Sequence, residues 1–181
     1  MQYIYLSIDN IPTVNNFLTI DPGYNTAIIR WKKISGMSVK FNYWLHKPIK
    51  FEINSMPKIL TLWSMFDCYL KCNTDDESPV IEYVYIEGTS LYQENLTSLA
   101  SASKGYLFEL TGLTYGYIRI CQQYGISCKI IKPNEWKGQM SKDAVKGKIK
   151  RKFPHLDFKN EHIMDAFAMG VSIVENWRET K

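Results

Sequence analysis

The chain has 181 residues, 45% hydrophobic and 22% charged, which supplies a sizeable core for one domain and excludes a disordered chain. A net charge of +4 permits a nucleic-acid partner without demanding one. No apolar run reaches the ~18 residues of a membrane span, the start MQYIYLSIDN lacks a signal-peptide pattern, and Cys68, Cys72, Cys121 and Cys128 form no Cys-x-x-Cys pair, so the expectation is a soluble, cytoplasmic protein with buried free thiols.

In chain order, IYLSI (4–8) reads as a short strand and NIPTVNN as a polar connection, so residues 1–16 are expected to be an N-terminal extension. FLTID (17–21) is a strand, PGYN a turn, TAIIRWKKI (26–34) a second strand and SVKFNYWLH (38–46) a third. These three form an antiparallel meander. Residues 56–72 change period: Ile59, Leu62, Trp63, Phe66 and Tyr69 share one helical face, and Pro57 suits its first turn. A polar loop leads to the strand VIEYVYIEG (80–88), which ends on Glu87. Residues 91–124 read as helix, in one piece or two, with Gly105, Gly112 and Gly116 as weak points or places of close approach. The Gly112–Gly116 pair fits a partner subunit and the chain's own sheet equally well. Another strand covers 126–132, and a loop holding Pro133 and Trp136 leads to a basic helix, 141–153, with Ser141 as N-cap. Pro154 stops that helix, and Asn160 caps a last one over 161–177.

The expected fold class is α/β: a five-stranded mixed sheet, antiparallel meander then parallel strands, flanked by helices in a single domain over 17–178. Ligands of such sheets gather at the carboxyl ends of strands. Asp21 and Glu87 each close an apolar strand, and each precedes a glycine by no more than two residues, which leaves room for a ligand near the backbone. If their strands are parallel neighbours, both carboxylates emerge at one sheet edge. The last helix contributes His162 and Asp165, three apart and bordering a core stripe of Ile163, Ala166, Phe167, Gly170, Val174 and Trp177. Carboxylates crowded together repel one another, and a hard divalent cation removes that cost. Two Mg²⁺ ions about 4 Å apart activate a water and stabilise the leaving oxygen of a phosphodiester. Asp9, in the similar stretch IYLSIDNIP, lacks the following glycine and reads as structural.

LTIDPGYNT (18–26), VYIEG (84–88) and EHIMDAFAMGVSI (161–173), with KPNEWKGQMSKDAVK (132–146) between the last two, resemble the RuvC-type Holliday-junction resolvases of the RNase H-like nuclease superfamily. The resemblance implies a metal-dependent crossover junction endodeoxyribonuclease acting as a homodimer on four-way DNA junctions, with Mg²⁺ as cofactor and Mn²⁺ able to substitute. It implies that Asp21 bridges two metals, Glu87 binds the second and Asp165 the first, with His162 at the additional ligand position and Glu161 its neighbouring alternative. Lys137 and Lys142 match basic positions beside the scissile phosphate. The family often has an aromatic wedge just after the second carboxylate; here Leu91 or Tyr92 would serve. A divergent composition rich in Lys, Asn, Ile and Tyr suits a phage-encoded member acting in the host cytoplasm.

The densest positive charge lies in 137–152: Lys137, Lys142, Lys146, Lys148, Lys150, Arg151 and Lys152, against one acid, Asp143. It fits a phosphate backbone read by shape rather than by base. Trp136 either packs in the core or stacks on a base. The competing readings are the same fold acting on RNA, flap or fork DNA; a junction-binding protein without activity; and a sugar-kinase-like phosphotransferase, for which the chain is short.

Overall fold

A computed structural model describes residues 2–5, 16–23, 25–35, 38–46, 55–73, 80–88 and 106–175. Its strands are β1 (Gln2–Tyr5), β2 (Asn16–Asp21), β3 (Thr26–Ser35), β4 (Ser38–His46), β5 (Tyr83–Glu87) and β6 (Ser127–Ile131). Its helices are α1 (Ser55–Asn73), α2 (Tyr106–Gln123), α3 (Pro133–Trp136), α4 (Lys142–Lys152) and α5 (Glu161–Glu175). The described strands form one sheet in the order β1-β4-β3-β2-β5-β6. The five expected strands are its mixed core, with β2–β3–β4 antiparallel and β2–β5–β6 parallel. β1 adds a sixth strand, antiparallel to β4 at the edge.

The sheet separates two cores, and strand alternation decides which residue enters which. Phe17, Ala27, Ile29 and Trp31 pack with Phe167 and the rest of α5, together with Val145 and Ile149 of α4. Leu18, Ile20, Ile28, Val84 and Ile86 pack on the other face with Leu62 and Phe66 of α1 and Leu113 and Tyr117 of α2. Of the predicted α1 stripe, Ile59, Leu62, Phe66 and Tyr69 are buried and Trp63 is partly so, with Leu70 added.

Helix α5 is buried more completely than one stripe predicts, because Met164, Ala168, Met169 and Val171 are also inside. It docks closely because Gly170 has no side chain: a Cβ there would lie 2.2 Å from the Trp31 indole. Thr19, fully buried on β2, locks the same contact. Its hydroxyl donates to the Ala166 carbonyl across 2.8 Å and accepts from Trp31 Nε1 across 2.9 Å. Three buried polar groups are satisfied together, and the height of α5 against β2 is set.

Four expectations change. Pro133–Trp136 is a short helix rather than a loop, with the Glu135 side chain accepting from the Lys132 N–H. Cys121 is buried, but Cys68 and Cys72 are exposed on the outer side of α1. Gly116 faces neither the sheet nor open surface: a Cβ would fall 1.9 Å from Trp63 of α1, so the glycine permits helix–helix contact, while Gly112 meets nothing within 4 Å. Gly88 gives no room to a ligand, because a Cβ would lie 2.5 Å from Ile130 Cγ2. Residues 91–105, including Gly105 and the proposed first piece of the long helix, lie outside the described residues, as do Asp9 and Trp177.

Candidate active site

β2 and β5 run parallel in register, with Ile20 beside Ile86, so Asp21 and Glu87 leave the sheet at the same edge. Period-two alternation then sets their face. Phe17 and Thr19 point toward α5, and Asp21 follows them; Tyr83 and Tyr85 do the same on β5, and Glu87 follows. Helix α5 starts at this edge. Asn160 accepts from the His162 N–H at 2.9 Å and the Ile163 N–H at 3.3 Å, the N-cap expected of it. The first turn thereby brings His162 to Asp21, Nδ1 to Oδ2 at 2.8 Å. Asp165, one turn on, lies close enough to Asp21 for their charges to interact.

The turn between β2 and β3 is held by Thr26, whose buried hydroxyl donates to the Gly23 carbonyl at 2.7 Å and accepts from Tyr117 of α2 at 2.9 Å. Gly23 would place a Cβ 3.7 Å from His162 Cε1, an ordinary contact.

Each acid has its own local partner. Glu87 Oε1 accepts from Trp136 Nε1 at 3.2 Å. Asp165 meets Lys142 Nζ at 3.4 Å, and the same ammonium sits 2.8 Å from Glu161. Glu161 therefore faces Lys142 at the surface, while His162 is the residue that faces Asp21. Burial pushes Glu87 up to about 8, and the nearby Asp21 charge adds to it; the Trp136 hydrogen bond and Lys137 oppose the rise. Asp165 is also raised by burial, with Lys142 opposing. His162 is raised by its hydrogen bond to Asp21, and Lys142 by its bond to Glu161.

Elevated carboxyl groups mark a place where negative charge is under-compensated. The donor set of carboxylate oxygens with one imidazole fits a hard divalent cation. Among the described residues, however, no three His, Cys, Asp or Glu side chains stand close enough to hold one ion as they are turned. Asp21 is turned to His162, Asp165 to Lys142 and Glu87 to Trp136. The side chains are held on separate donors.

The basic segment divides. Ser141 caps α4 as expected, accepting from the Ala144 N–H at 3.2 Å. Lys142 reaches the start of α5 and Lys152 reaches Glu175 near its end, so the two helices run alongside each other in the same direction. Lys137 acts on both Glu87 and Asp165. Lys146, Lys150 and Arg151 are exposed. Lys148 feels Glu175 and Lys152 and so lies on their side of α4. Leu91 and Tyr92 lie outside the described residues.

Trp136 is the residue whose role the sequence reading missed. It is core, 3% exposed, and it also holds Glu87. The signal was available: a buried indole needs an acceptor for its N–H, and a strand-end acid was the nearest candidate.

A mixed sheet with two acids at the carboxyl ends of adjacent parallel strands, flanked by helices on both faces, is the RNase H-like fold. Within that class the chain has the fold of the RuvC-type Holliday-junction resolvases. Thermus thermophilus RuvC is 13% identical with a TM-score of 0.61, covering 87% of this chain and 92% of its own. The structure of T. thermophilus RuvC in complex with Holliday junction substrate gives 14%, 0.64, 91% and 96%. The yeast mitochondrial Holliday junction resolvase gives 9%, 0.58, 94% and 85%. No protein-family model matches the chain, and no curated protein matches it by sequence. No helix among the described residues is long and apolar enough to cross a membrane.

Proposed function

We propose that the chain is a divalent-metal-dependent, structure-selective endodeoxyribonuclease that resolves Holliday junctions and other branched DNA in the cytoplasm. The observation that carries this reading is the meeting of Asp21, His162 and Asp165 with Glu87 at one sheet edge, within a RuvC-like fold.

Asp21, Glu87, Asp165 and His162 would hold two Mg²⁺ ions, with Mn²⁺ as substitute. Bound there, the ions supply a water made nucleophilic at neutral pH and charge compensation for the leaving oxygen. The chain's own contribution is positioning. Thr19 and Trp31 fix the helix that carries His162 and Asp165. Trp136 orients Glu87, and Lys142 and Lys137 lower the net negative charge that an approaching phosphate meets. Lys146, Lys150 and Arg151 extend this positive surface along α4 for the DNA backbone.

A homodimer would let two such sites cut opposed strands. Support comes from the outer face of α2, where Phe108 is 81% and Tyr115 62% exposed with the small Gly112 between them.

The test is cleavage of a synthetic four-way junction beside linear duplex and RNA–DNA hybrid, with and without Mg²⁺, for wild type and Asp21→Asn. Symmetric paired nicks that need Mg²⁺ and Asp21 are expected, with cutting by the variant lowered by about 10² or more. Binding survives or tightens in the variant. Wild-type protein that binds the junction and never cuts it, or cuts only the hybrid, overturns the proposal.

A further inference from the structure

The turn between β2 and β3 lies where the two layers meet around the edge of the sheet, and one hydroxyl holds it. Thr26 is fully buried. Its side chain donates to the Gly23 carbonyl at 2.7 Å, accepts from the Gly23 N–H at 3.3 Å and accepts from the Tyr117 hydroxyl at 2.9 Å. A hydroxyl has one donor and two acceptor sites, so its capacity is filled. Both backbone polar groups of one turn residue are tied to one side chain, and that side chain is tied to α2.

Tyr117 is wholly buried in an apolar layer, its ring edge-on to Phe66 with centroids 4.9 Å apart. A phenylalanine would fill the same space with no hydroxyl to desolvate. The hydroxyl instead serves a residue 91 positions away, in a turn outside that layer. What the turn carries gives this bond a use. Asp21 precedes it, and Pro22, with its locked φ, passes the placement of Gly23 back to Asp21. Gly23 also faces α5: the point its Cβ would occupy is 3.7 Å from His162 Cε1, the ring atom between the two imidazole nitrogens. A displaced turn therefore moves Asp21 and changes the space along the imidazole edge together. The 2.8 Å bond between His162 Nδ1 and Asp21 Oδ2 is the contact that responds.

We propose that Tyr117 is a positioning residue for the candidate site: through Thr26, its hydroxyl fixes Gly23 and so sets the His162 ring against Asp21. In its effect on metal binding and cutting, the inference rests on the nuclease reading. The placement of the ring is a property of the chain alone. A helix on one side of the sheet thereby sets the geometry of a side chain carried by a helix on the other.

The experiment follows the histidine Cε1–H resonances of the full ¹³C-labelled chain by NMR, at fixed pH and without DNA or metal. The chain has three histidines, and the His162 signal is the one missing from His162→Gln. Tyr117→Phe removes the donor and keeps the ring, so a moved signal reports displacement rather than a lost aromatic field. Thr26→Val removes the hydroxyl at the turn, and Thr26→Ser keeps it. The His162 resonance should move by more than its linewidth in Tyr117→Phe and Thr26→Val, and stay in place in Thr26→Ser, with His155 unmoved throughout. Mn²⁺ is then titrated into the DNA-free protein. The concentration that half-broadens the His162 signal should rise by about threefold or more in Tyr117→Phe. Junction cleavage should fall at limiting Mg²⁺ and approach the wild-type rate at saturating Mg²⁺. A hydroxyl that merely packs the core would lower the Tm and leave the resonance and the Mn²⁺ midpoint where they are; that result overturns the proposal. Wild-type cleavage beside an unmoved resonance leaves the nuclease reading standing and removes the positioning role. A moved resonance and midpoint in a protein that never cuts a junction uphold the positioning role and remove the nuclease.

Discussion

The indole N–H of Trp136 donates to Glu87 Oε1 across 3.2 Å, from a helix of four residues to the end of a buried strand. This hydrogen bond opposes the burial that pushes Glu87 up to about 8, so it favours the charged form that a cation needs. Trp136→Phe keeps an aromatic ring, smaller than the indole, and removes the donor. The Mg²⁺ concentration for half-maximal cleavage should rise by about tenfold, with a smaller change in the rate at saturating Mg²⁺. An unchanged Mg²⁺ requirement would show that Glu87 does not depend on this donor.

Proton linkage gives a second expectation. Glu87, Asp165 and His162 are all raised, so the folded protein holds protons that the unfolded chain releases. Their stabilisation is complete below the unfolded values and is lost as pH rises, for Glu87 between its ordinary 4.5 and about 8. In EDTA, the Tm of wild type relative to Glu87→Gln should fall across that interval. Added Mg²⁺ should flatten the fall, since a bound cation takes the place of the proton. A difference that grows with pH would be the wrong sign.

The division of the basic helix predicts a split among lysines. Lys146→Gln and Lys150→Gln should each reduce the salt dependence of junction binding by about one unit of slope. Lys148→Gln should change it less, because Lys148 lies beside Glu175. Equal slopes for all three variants would remove the distinction.

Close helix–sheet docking predicts opposite outcomes at two glycines. Gly170→Ala drives a methyl into Trp31 and should cost about 1–3 kcal/mol in urea unfolding. Gly147→Ala, in an exposed helix where the new Cβ meets only Arg151 Nη1 at 3.5 Å, should stabilise by about 0.5–1 kcal/mol. A neutral Gly170→Ala would mean that the indole moves aside.

Much of this molecule was legible in the sequence because strong local signals agreed with the fold. Apolar runs marked β2 and β5, Asp-Pro-Gly ended one strand, Glu-Gly the other, and Asn160 opened α5. The parallel pairing that unites Asp21 with Glu87 was a conditional reading, since register between distant strands leaves no local trace. Partners were harder. Gly88 was expected to leave room for a ligand and Gly116 to be a weak point or a place of close approach, and Gly170 was placed in a core stripe; the neighbour each one meets, Ile130, Trp63 or Trp31, is identified only by the packed structure. The two hydroxyls that fix the site, Thr19 and Thr26, looked like ordinary strand residues. The Lys148 side of α4 could not be separated from the Lys142 side by counting charges.

The alternation that sends Phe17, Thr19 and Asp21 to one face of β2 imposes a parity rule on this strand. A single-residue insertion between Thr19 and Asp21 would turn the acid toward Leu62 and Tyr117, into an apolar layer with no imidazole to meet it. Length changes here are tolerable only in pairs, whereas the exposed side of α4 can drift residue by residue without moving the acid at all.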